Sequence, residues 1–135
     1  MNISTIMNKN VQTIASDALV SQAMKDMNQK EIRHLVVMDG ESVVGIISNR
    51  GIPINLANLT DEDDNFKMWS EIKVKDLMTP NPVIFNPGDE VVKLMQDAID
   101  TKFGAFPIMD KGRLIGIVTV IDLLRVGLEA LQSKN

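Results

Sequence analysis

Two periodicities of hydrophobic residues alternate along the chain, and the same order of segments occurs twice. Apolar residues recur at helical spacing between Leu19 and Met27, and again between Val91 and Ile99, which predicts two amphipathic helices. Each of these segments is followed by two short apolar runs that flank a polar, glycine-containing turn, and this pattern predicts a β-hairpin. The predicted hairpin strands are residues 35–38 and 43–47 in the first half and residues 106–109 and 114–118 in the second.

Shorter segments surround each helix and hairpin. A lead-in (residues 3–7 or 74–78) and a short extended segment (residues 11–14 or 82–85) precede each helix. A second helix closes each half: the first begins near Gly51, with Pro53 in its first turn, and the last extends from about Val120 to Gln132. Residues 60–64 are one threonine and four contiguous acids, and a short helix is predicted over residues 66–69. Contiguous acids favour a solvated linker over a cation site, because a cation-binding loop spaces its ligands.

The two halves are repeats of one another. Placing Met7 on Met78 aligns residues 7–52 with residues 78–123 without a gap, and the hydrophobic pattern matches throughout. The repeated order predicts an α/β (α+β) fold of two tandem β-α-β-β-α units. We place the first unit at residues 1–59, a linker at 60–73 and the second unit at 74–135.

The strongest candidate for a functional site is the junction between the second hairpin and the last helix. The apolar run ends at Thr119, and Asp122 follows three residues later, where the helical pattern begins. A helix start offers unpaired N–H groups, so polar side chains there can meet a ligand. The matching positions in the first half are Ser48 and Gly51, which keep the hydroxyl and lose the carboxylate. Thr119 and Asp122 also have nearly the spacing and composition of a capping box, which needs no ligand.

Two glycines occupy matching strand positions in the repeats. Gly45 and Gly116 each stand in the second strand of a predicted hairpin. A glycine in a strand either allows close backbone approach, here of a ligand, or permits a β-bulge, and the pattern leaves both alternatives open.

Composition excludes several classes of function. The chain has 135 residues, no cysteine and one histidine, so disulfides, thiolate catalysis and cysteine-ligated metals are absent. The net charge is -4 and no Lys/Arg block occurs, which argues against nucleic acid as a partner. No apolar run reaches the roughly 20 residues that span a bilayer, and no secretory signal is evident, so we predict a cytoplasmic protein without a membrane partner.

The last predicted helix is apolar on more than one side. Val120, Leu124, Leu128 and Leu131 form one stripe, and further apolar residues lie off it. A small chain rarely covers such a helix by itself, which predicts a homodimer. The alternative is that the lead-in segments cover the helix.

The sequence shows no arrangement typical of an enzyme. His34 is the single histidine and has no cysteine or evident serine partner, and no phosphate loop or metal cluster occurs. We therefore predict that the chain is not an enzyme, that it has no catalytic residue, no metal site and no catalytic cofactor.

Several motifs resemble those of cystathionine-β-synthase (CBS) domains over about residues 3–131. Residues 33–39 (RHLVVMD) and 105–110 (AFPIMD) are similar to the strand entry of that family, although Val36 replaces its proline. Residues 76–79 (DLMT) resemble its opening motif, and residues 116–122 (GIVTVID) match its Gly-Ile-(Val/Ile)-Thr-x-x-Asp signature. The chain is thus similar to a stand-alone CBS domain pair, or Bateman module. This implies two units related by a pseudo-two-fold axis with a cleft between them.

The resemblance implies a regulatory module that binds AMP, ADP, ATP or S-adenosylmethionine in that cleft. It implies that Thr119 and Asp122 take the ribose, since a carboxylate can accept both hydroxyls of a cis-diol. By the same resemblance Val11, Ile32 and Arg33 surround the base, and Arg33, His34 or Arg50 meet the phosphate. The second unit has Gly104 and Ala105 in place of the basic pair. The regulated partner protein is not identified, and the alternative is a ligand-free scaffold for dimerisation or docking.

Overall fold

The structure is a computed structural model that describes residues 1–50 and 71–134. The predicted helix after Gly51, the acidic linker and the short helix at residues 66–69 lie outside the described residues. The described chain divides into two compact units. One contains Met1–Val11 and Val83–Asn135, and we call it the Asp122 unit; the other is Gln12–Pro82, the His34 unit.

The His34 unit is a four-stranded sheet with helices packed on it. Its strands are β1 (Thr13–Ala15), β2 (His34–Asp39), β3 (Ser42–Ser48) and β4 (Thr79–Pro80), in that order across the sheet. Strand β1 is parallel to β2, and the other neighbours are antiparallel. The helices are α1 (Val20–Gln29) and α2 (Val74–Leu77). Their apolar faces and the inner face of the sheet form one core.

The Asp122 unit repeats this arrangement with a smaller sheet. It contains α3 (Val91–Thr101), β5 (Ala105–Asp110), β6 (Arg113–Thr119) and α4 (Val120–Gln132), and a 3₁₀ turn at Ile3–Thr5. Strands β5 and β6 pair antiparallel. The outer strands are reduced to single bridges, Phe85 parallel to Ile108 and Asn8 antiparallel to Ile117. The two predicted hairpins and the helices predicted near residues 19–27, 91–99 and 120–132 are therefore confirmed. Each hairpin strand is one residue longer at both ends than the apolar run.

The register of the two hairpins is the same, residue for residue. His34 is opposite Ser48 in one hairpin, and Ala105 is opposite Thr119 in the other. Both ladders shift register at the same point, between Val37 and Met38 and between Ile108 and Met109. The internal repeat is therefore a repeat of backbone structure.

Each lead-in packs on the hairpin of the other repeat. The N–H of Asn8, which follows the first lead-in, donates to the carbonyl oxygen of Ile117 at 2.9 Å, and β4, which follows the second lead-in, pairs with β3. Ile3 and Val74 occupy matching positions and are each 0% exposed, Ile3 in the core of the Asp122 unit and Val74 in that of the His34 unit. The compact units therefore exchange their lead-ins relative to the sequence repeats. The division of the sequence into a first unit that ends at residue 59 and a second that begins at residue 74 remains a prediction.

The exchanged lead-ins explain the paired glycines. A Cβ on Gly45 would lie 2.5 Å from Sδ of Met78 and 2.9 Å from the carbonyl oxygen of Thr79. A Cβ on Gly116 would lie 2.8 Å from Sδ of Met7. Both glycines thus allow close approach of a lead-in. Each also stands beside the extra residue of the register shift in its own strand, Val44 in β3 and Ile115 in β6, so the glycine serves both alternatives.

Substituting Gly45 by alanine should destabilise the protein. We expect Gly45→Ala to lower the free energy of unfolding by about 2 kcal/mol, because the new methyl group overlaps a backbone oxygen as well as a thioether. Gly116→Ala should cost less, since its nearest backbone atom is 3.3 Å away. Urea denaturation measures both. Gly88→Ala is the control, because nothing lies within 4 Å of that position, and equal stability of all three variants would contradict the close approach.

Candidate functional site

The signature residues Thr119 and Asp122 lie where β6 passes directly into α4. Thr119 is the last residue of the strand and the N-cap of the helix, with extended backbone angles of φ -113° and ψ 166°. Asp122 is the third residue of the helix, and together they form a capping box. The N–H of Thr119 donates to Oδ2 of Asp122 at 2.8 Å, and the Thr119 hydroxyl lies 3.3 Å from the same oxygen. Thr119 and Asp122 therefore cap the start of α4.

The cap leaves the second carboxylate oxygen of Asp122 available. The contact recorded for Oδ1 is an ion pair with Nη1 of Arg125 at 3.9 Å, which is long for a hydrogen bond. The Asp122 side chain is 20% exposed, so the carboxylate is partly accessible to solvent. One oxygen thus fixes the carboxylate on the helix start, and the other can accept hydrogen bonds from outside the chain.

Arg125 was not among the residues singled out from the sequence. Its side chain is 67% exposed and follows Asp122 by three residues on α4. That spacing places two side chains next to each other on a helix, so the pair was readable from the sequence. Arg125 therefore places a positive charge beside Asp122 within the Asp122 unit. The positions of this unit that align with the basic pair of the first repeat are uncharged.

The matching junction of the His34 unit carries positive charge instead. Ser48 ends β3 opposite His34, and the N–H of Asn49 donates to the carbonyl oxygen of Arg33 at 3.1 Å. This backbone bond holds the two ends of the hairpin together and brings Arg50 near the start of β2. The junction in the Asp122 unit has the same bond, from Val120 N–H to the carbonyl oxygen of Gly104 at 3.0 Å.

Arg33, His34 and Arg50 form a basic cluster at this end of the hairpin. Burial lowers the pKa of His34 below its ordinary value of 6.5, and the positive charges of Arg50 and Arg33 lower it further. Both arginines are exposed, and His34 is half-buried. The cluster can therefore attract an anion, and a bound anion would favour protonated His34.

The remaining predicted site residues fall in different units. Ile32 precedes the basic cluster in the His34 unit and is half-buried. Val11 is half-buried in the Asp122 unit, the unit of Thr119 and Asp122, because it follows the exchanged lead-in. Gly51, the position without an acid, lies outside the described residues.

The described part of the chain contains neither a metal-binding cluster nor a membrane-spanning helix. Within residues 1–50 and 71–134, no group of three or more His, Asp or Glu side chains is arranged to hold a metal ion. In the same part of the chain, no helix has the length and apolar character needed to cross a membrane.

Comparison with known proteins establishes the family. A family model described as CBS domain matches residues 3–52 and 74–129. A CBS domain-containing protein of Dictyostelium discoideum is 33% identical over 138 residues, which cover 96% of this chain and 93% of that protein. The chain belongs to the CBS domain family, and its two matched segments make it a CBS domain pair. Other curated relatives are longer, and the matches span between 16% and 73% of their length.

Solved structures show the same fold. The crystal structure of CBSX2 in complex with AMP matches with a TM-score of 0.74 and 25% identity, covering 95% of this chain and 97% of that one. The CBS domain pair of protein MJ0100, in complex with 5′-methylthioadenosine and S-adenosyl-L-methionine, matches with a TM-score of 0.80 and 23% identity, covering 96% and 98%. The predicted α/β fold of tandem CBS units is confirmed.

The lowered pKa of His34 predicts a pH-dependent stability. The unfolded chain takes up a proton at His34 as the pH falls through about 6.5, and the folded protein does so only at lower pH. We therefore expect the free energy of unfolding to fall as the pH is lowered from 6.5 through the folded pKa, and to be fully retained above 6.5.

Denaturation at a series of pH values measures this effect. His34→Gln should remove that part of the pH dependence, and Arg113→Gln, a charge change in the other unit, should leave it unchanged. Identical pH profiles for the native chain and His34→Gln would show that His34 is not responsible.

Proposed function

We propose that the chain is a regulatory module that binds an adenosine-containing nucleotide through Thr119 and Asp122. The observation that carries this proposal is the state of the Asp122 carboxylate. It is held in place by the cap through Oδ2, and Oδ1 lies 3.9 Å from Nη1 of Arg125, beyond the distance of a hydrogen bond. A fixed carboxylate acceptor suits the cis-diol of a ribose, because the ligand need not order the side chain itself.

The solved relatives support adenosine as the recognised group. CBSX2 was crystallised with AMP, and the CBS domain pair of MJ0100 with 5′-methylthioadenosine and S-adenosyl-L-methionine. These ligands share the adenosine portion and differ in what is attached to the ribose. In our proposal Thr119 and Asp122 hold the ribose, Val11 and Ile32 contact the base, and Arg33 and His34 bind the phosphate. AMP, ADP, ATP and S-adenosylmethionine are the candidates.

The wider role follows from the same proposal. The chain would act on a separate protein whose response depends on bound nucleotide, with no catalysis of its own, and would work in the cytoplasm as a homodimer. The homodimer rests on α4, where Ile121, Leu124, Leu128 and Leu131 are each more than half exposed. Ile3 of the lead-in packs in the same core as Leu123, on the other side of the helix. The lead-in therefore does not cover the exposed stripe.

A ligand-free scaffold is the second candidate. The capping box accounts for Thr119 and Asp122 without a ligand. The twin junction has Gly51 in place of the acid, and the Asp122 unit has Gly104 and Ala105 in place of the basic pair. In this case the pair would serve only dimerisation or docking.

Asp122→Asn separates the two functions. The amide keeps one oxygen for the Thr119 N–H, so we expect the free energy of unfolding to change by less than about 1 kcal/mol. The loss of charge should lower nucleotide affinity about tenfold or more, as a charge-assisted hydrogen bond is lost. Calorimetric titration with AMP, ADP, ATP and S-adenosylmethionine measures the affinity, and thermal melting measures stability.

Asp97→Asn is the matched control for this variant. Asp97 also lies on a helix of the Asp122 unit and its side chain is 23% exposed, against 20% for Asp122. Nucleotide affinity should be unchanged in this variant. If no nucleotide at millimolar concentration binds the native chain, the nucleotide proposal fails and the scaffold remains.

The phosphate role of the basic cluster has a separate test. Arg33→Gln should weaken AMP about tenfold and leave adenosine unchanged, because only AMP offers the phosphate that a guanidinium recognises. Arg113→Gln is the control for the loss of one positive charge. Equal losses for AMP and adenosine would contradict a phosphate contact and indicate a role for Arg33 in the base or the fold.

A further inference from the structure

Arg125 is the cation that stands beside the proposed ribose acceptor. Its Nη1 lies 3.9 Å from Oδ1 of Asp122, and its side chain is 67% exposed. An ion pair of this length at the surface contributes little to the stability of a helix, because water screens the two charges. A structural role therefore explains little of the position of Arg125.

The acid and the cation occur together in one repeat and are absent together from the other. In the alignment of the two repeats, Asp122 corresponds to Gly51. Continued along the helix, the same alignment places Arg125 on Ile54. Arg125 is also the only basic residue of α4. The positive charge therefore accompanies the carboxylate of the candidate site and is not a general feature of the repeated helix.

A carboxylate that accepts a ribose hydroxyl is in electrostatic conflict with a phosphate on the same ribose. Both groups are negative, and the 5′ substituent is attached to the ring that carries the hydroxyls. Their separation is comparable to the Debye length of about 8 Å at physiological salt, so the like charges still repel. The same carboxylate attracts a cationic 5′ substituent, such as the sulfonium group of S-adenosylmethionine.

Arg125 offsets this conflict without occupying the acceptor. Asp122 and Arg125 together carry no net charge, and the start of α4 adds a partial positive charge. The 3.9 Å between Nη1 and Oδ1 is too long for a hydrogen bond, so Oδ1 keeps its capacity to accept one from a ribose. The junction can therefore hold a ribose through a carboxylate and still tolerate a negative group attached to that ribose.

We propose that Arg125 makes the site selective for adenosine ligands with an anionic 5′ substituent, AMP, ADP or ATP, over the cationic S-adenosylmethionine. Relatives of the same fold were crystallised with AMP and with S-adenosyl-L-methionine, so the fold alone does not decide between these classes. The charge beside the ribose acceptor does. This selectivity rests on the nucleotide binding proposed above and narrows its ligands to one class.

Calorimetric titration of the full chain with AMP, 5′-methylthioadenosine and S-adenosylmethionine tests this selectivity. The three ligands share adenosine and carry a negative, a neutral and a positive 5′ substituent. The native chain should bind AMP most tightly and S-adenosylmethionine most weakly. In Arg125→Gln the ratio of the AMP affinity to the S-adenosylmethionine affinity should fall about fivefold, because one positive charge near the 5′ substituent is lost. The ratio cancels any effect of the variant on the shared adenosine, including the relief of competition for Oδ1.

Further variants separate charge from structure. Arg125→Lys should keep most of the preference for AMP, and Arg125→Glu should lower the affinity ratio about tenfold or more, because the charge is reversed. Arg113→Gln is the matched control and should leave the ratio unchanged. Arg113 begins β6 and Thr119 ends it, so at about 3.3 Å per residue they are roughly 20 Å apart, well beyond the Debye length. Thermal melting shows whether each variant is folded. A purely structural role of Arg125 would change the melting temperature without changing the ratio.

The outcomes distinguish this selectivity from the proposed function itself. A native chain that binds S-adenosylmethionine more tightly than AMP overturns the selectivity and leaves nucleotide binding standing. A preference for AMP that is the same in Arg125→Gln and Arg125→Glu overturns the role of Arg125 and assigns the preference to other charges, such as Arg33. If none of the three ligands binds the native chain at millimolar concentration, the proposed nucleotide binding fails, and the selectivity fails with it.

Discussion

The exchange of the lead-in segments is the constraint on which the rest of the structure depends. Ile3 completes the core under the second hairpin, and Val74 completes the core under the first. Truncating a fully buried aliphatic side chain typically costs 2–5 kcal/mol, which is a large fraction of the stability of a small domain. Neither repeat can therefore close its core with its own sequence. Gly45 and Gly116 are part of the same constraint, because the exchanged segments cross the sheets at these two positions.

Because the exchanged lead-ins fix the two sheets, they also fix the positions of the residues at the ends of the hairpins. Both junctions have the same backbone bond and the same opposed pair, and they carry different side chains. One junction carries a carboxylate on the first turn of a helix, and the other carries two guanidinium groups around a histidine. The capping box contributes twice at the first junction. It satisfies a helix terminus, and it holds Asp122 in a single orientation without any contact from a ligand.

The sequence predicted the backbone better than the interactions that organise it. Hairpins and helices follow from periods of two and 3.6 residues, and the start of the last helix at Val120 was predicted because Thr119 and Asp122 mark it. The lead-in exchange was not predicted, since an apolar segment followed by methionine packs equally well on either of two similar hairpins. For the same reason, the sequence did not show to which compact unit Val11 belongs, because this depends on the lead-in exchange.

The candidate site was predicted in part for similar reasons. Thr119 and Asp122 are neighbours in sequence, so their hydrogen bond follows from helix geometry. Arg50 can lower the pKa of His34 only when the hairpin brings the two residues together. The alignment of the repeats suggested that Arg50 lies near the site, but it did not give the direction of the pKa shift. Arg125 was missed although its spacing from Asp122 is regular, because the family signature ends at Asp122. Local pairs are readable from sequence, and contacts that depend on closure of a sheet are not.

Arg125 bears directly on the nucleotide proposal. Its guanidinium lies 3.9 Å from Oδ1 of Asp122, the oxygen proposed for the ribose. A single exposed cation gains little from such a contact, because water screens it. A ribose hydroxyl on Oδ1 would compete with Arg125 for that oxygen, and the cap on Oδ2 would remain in place.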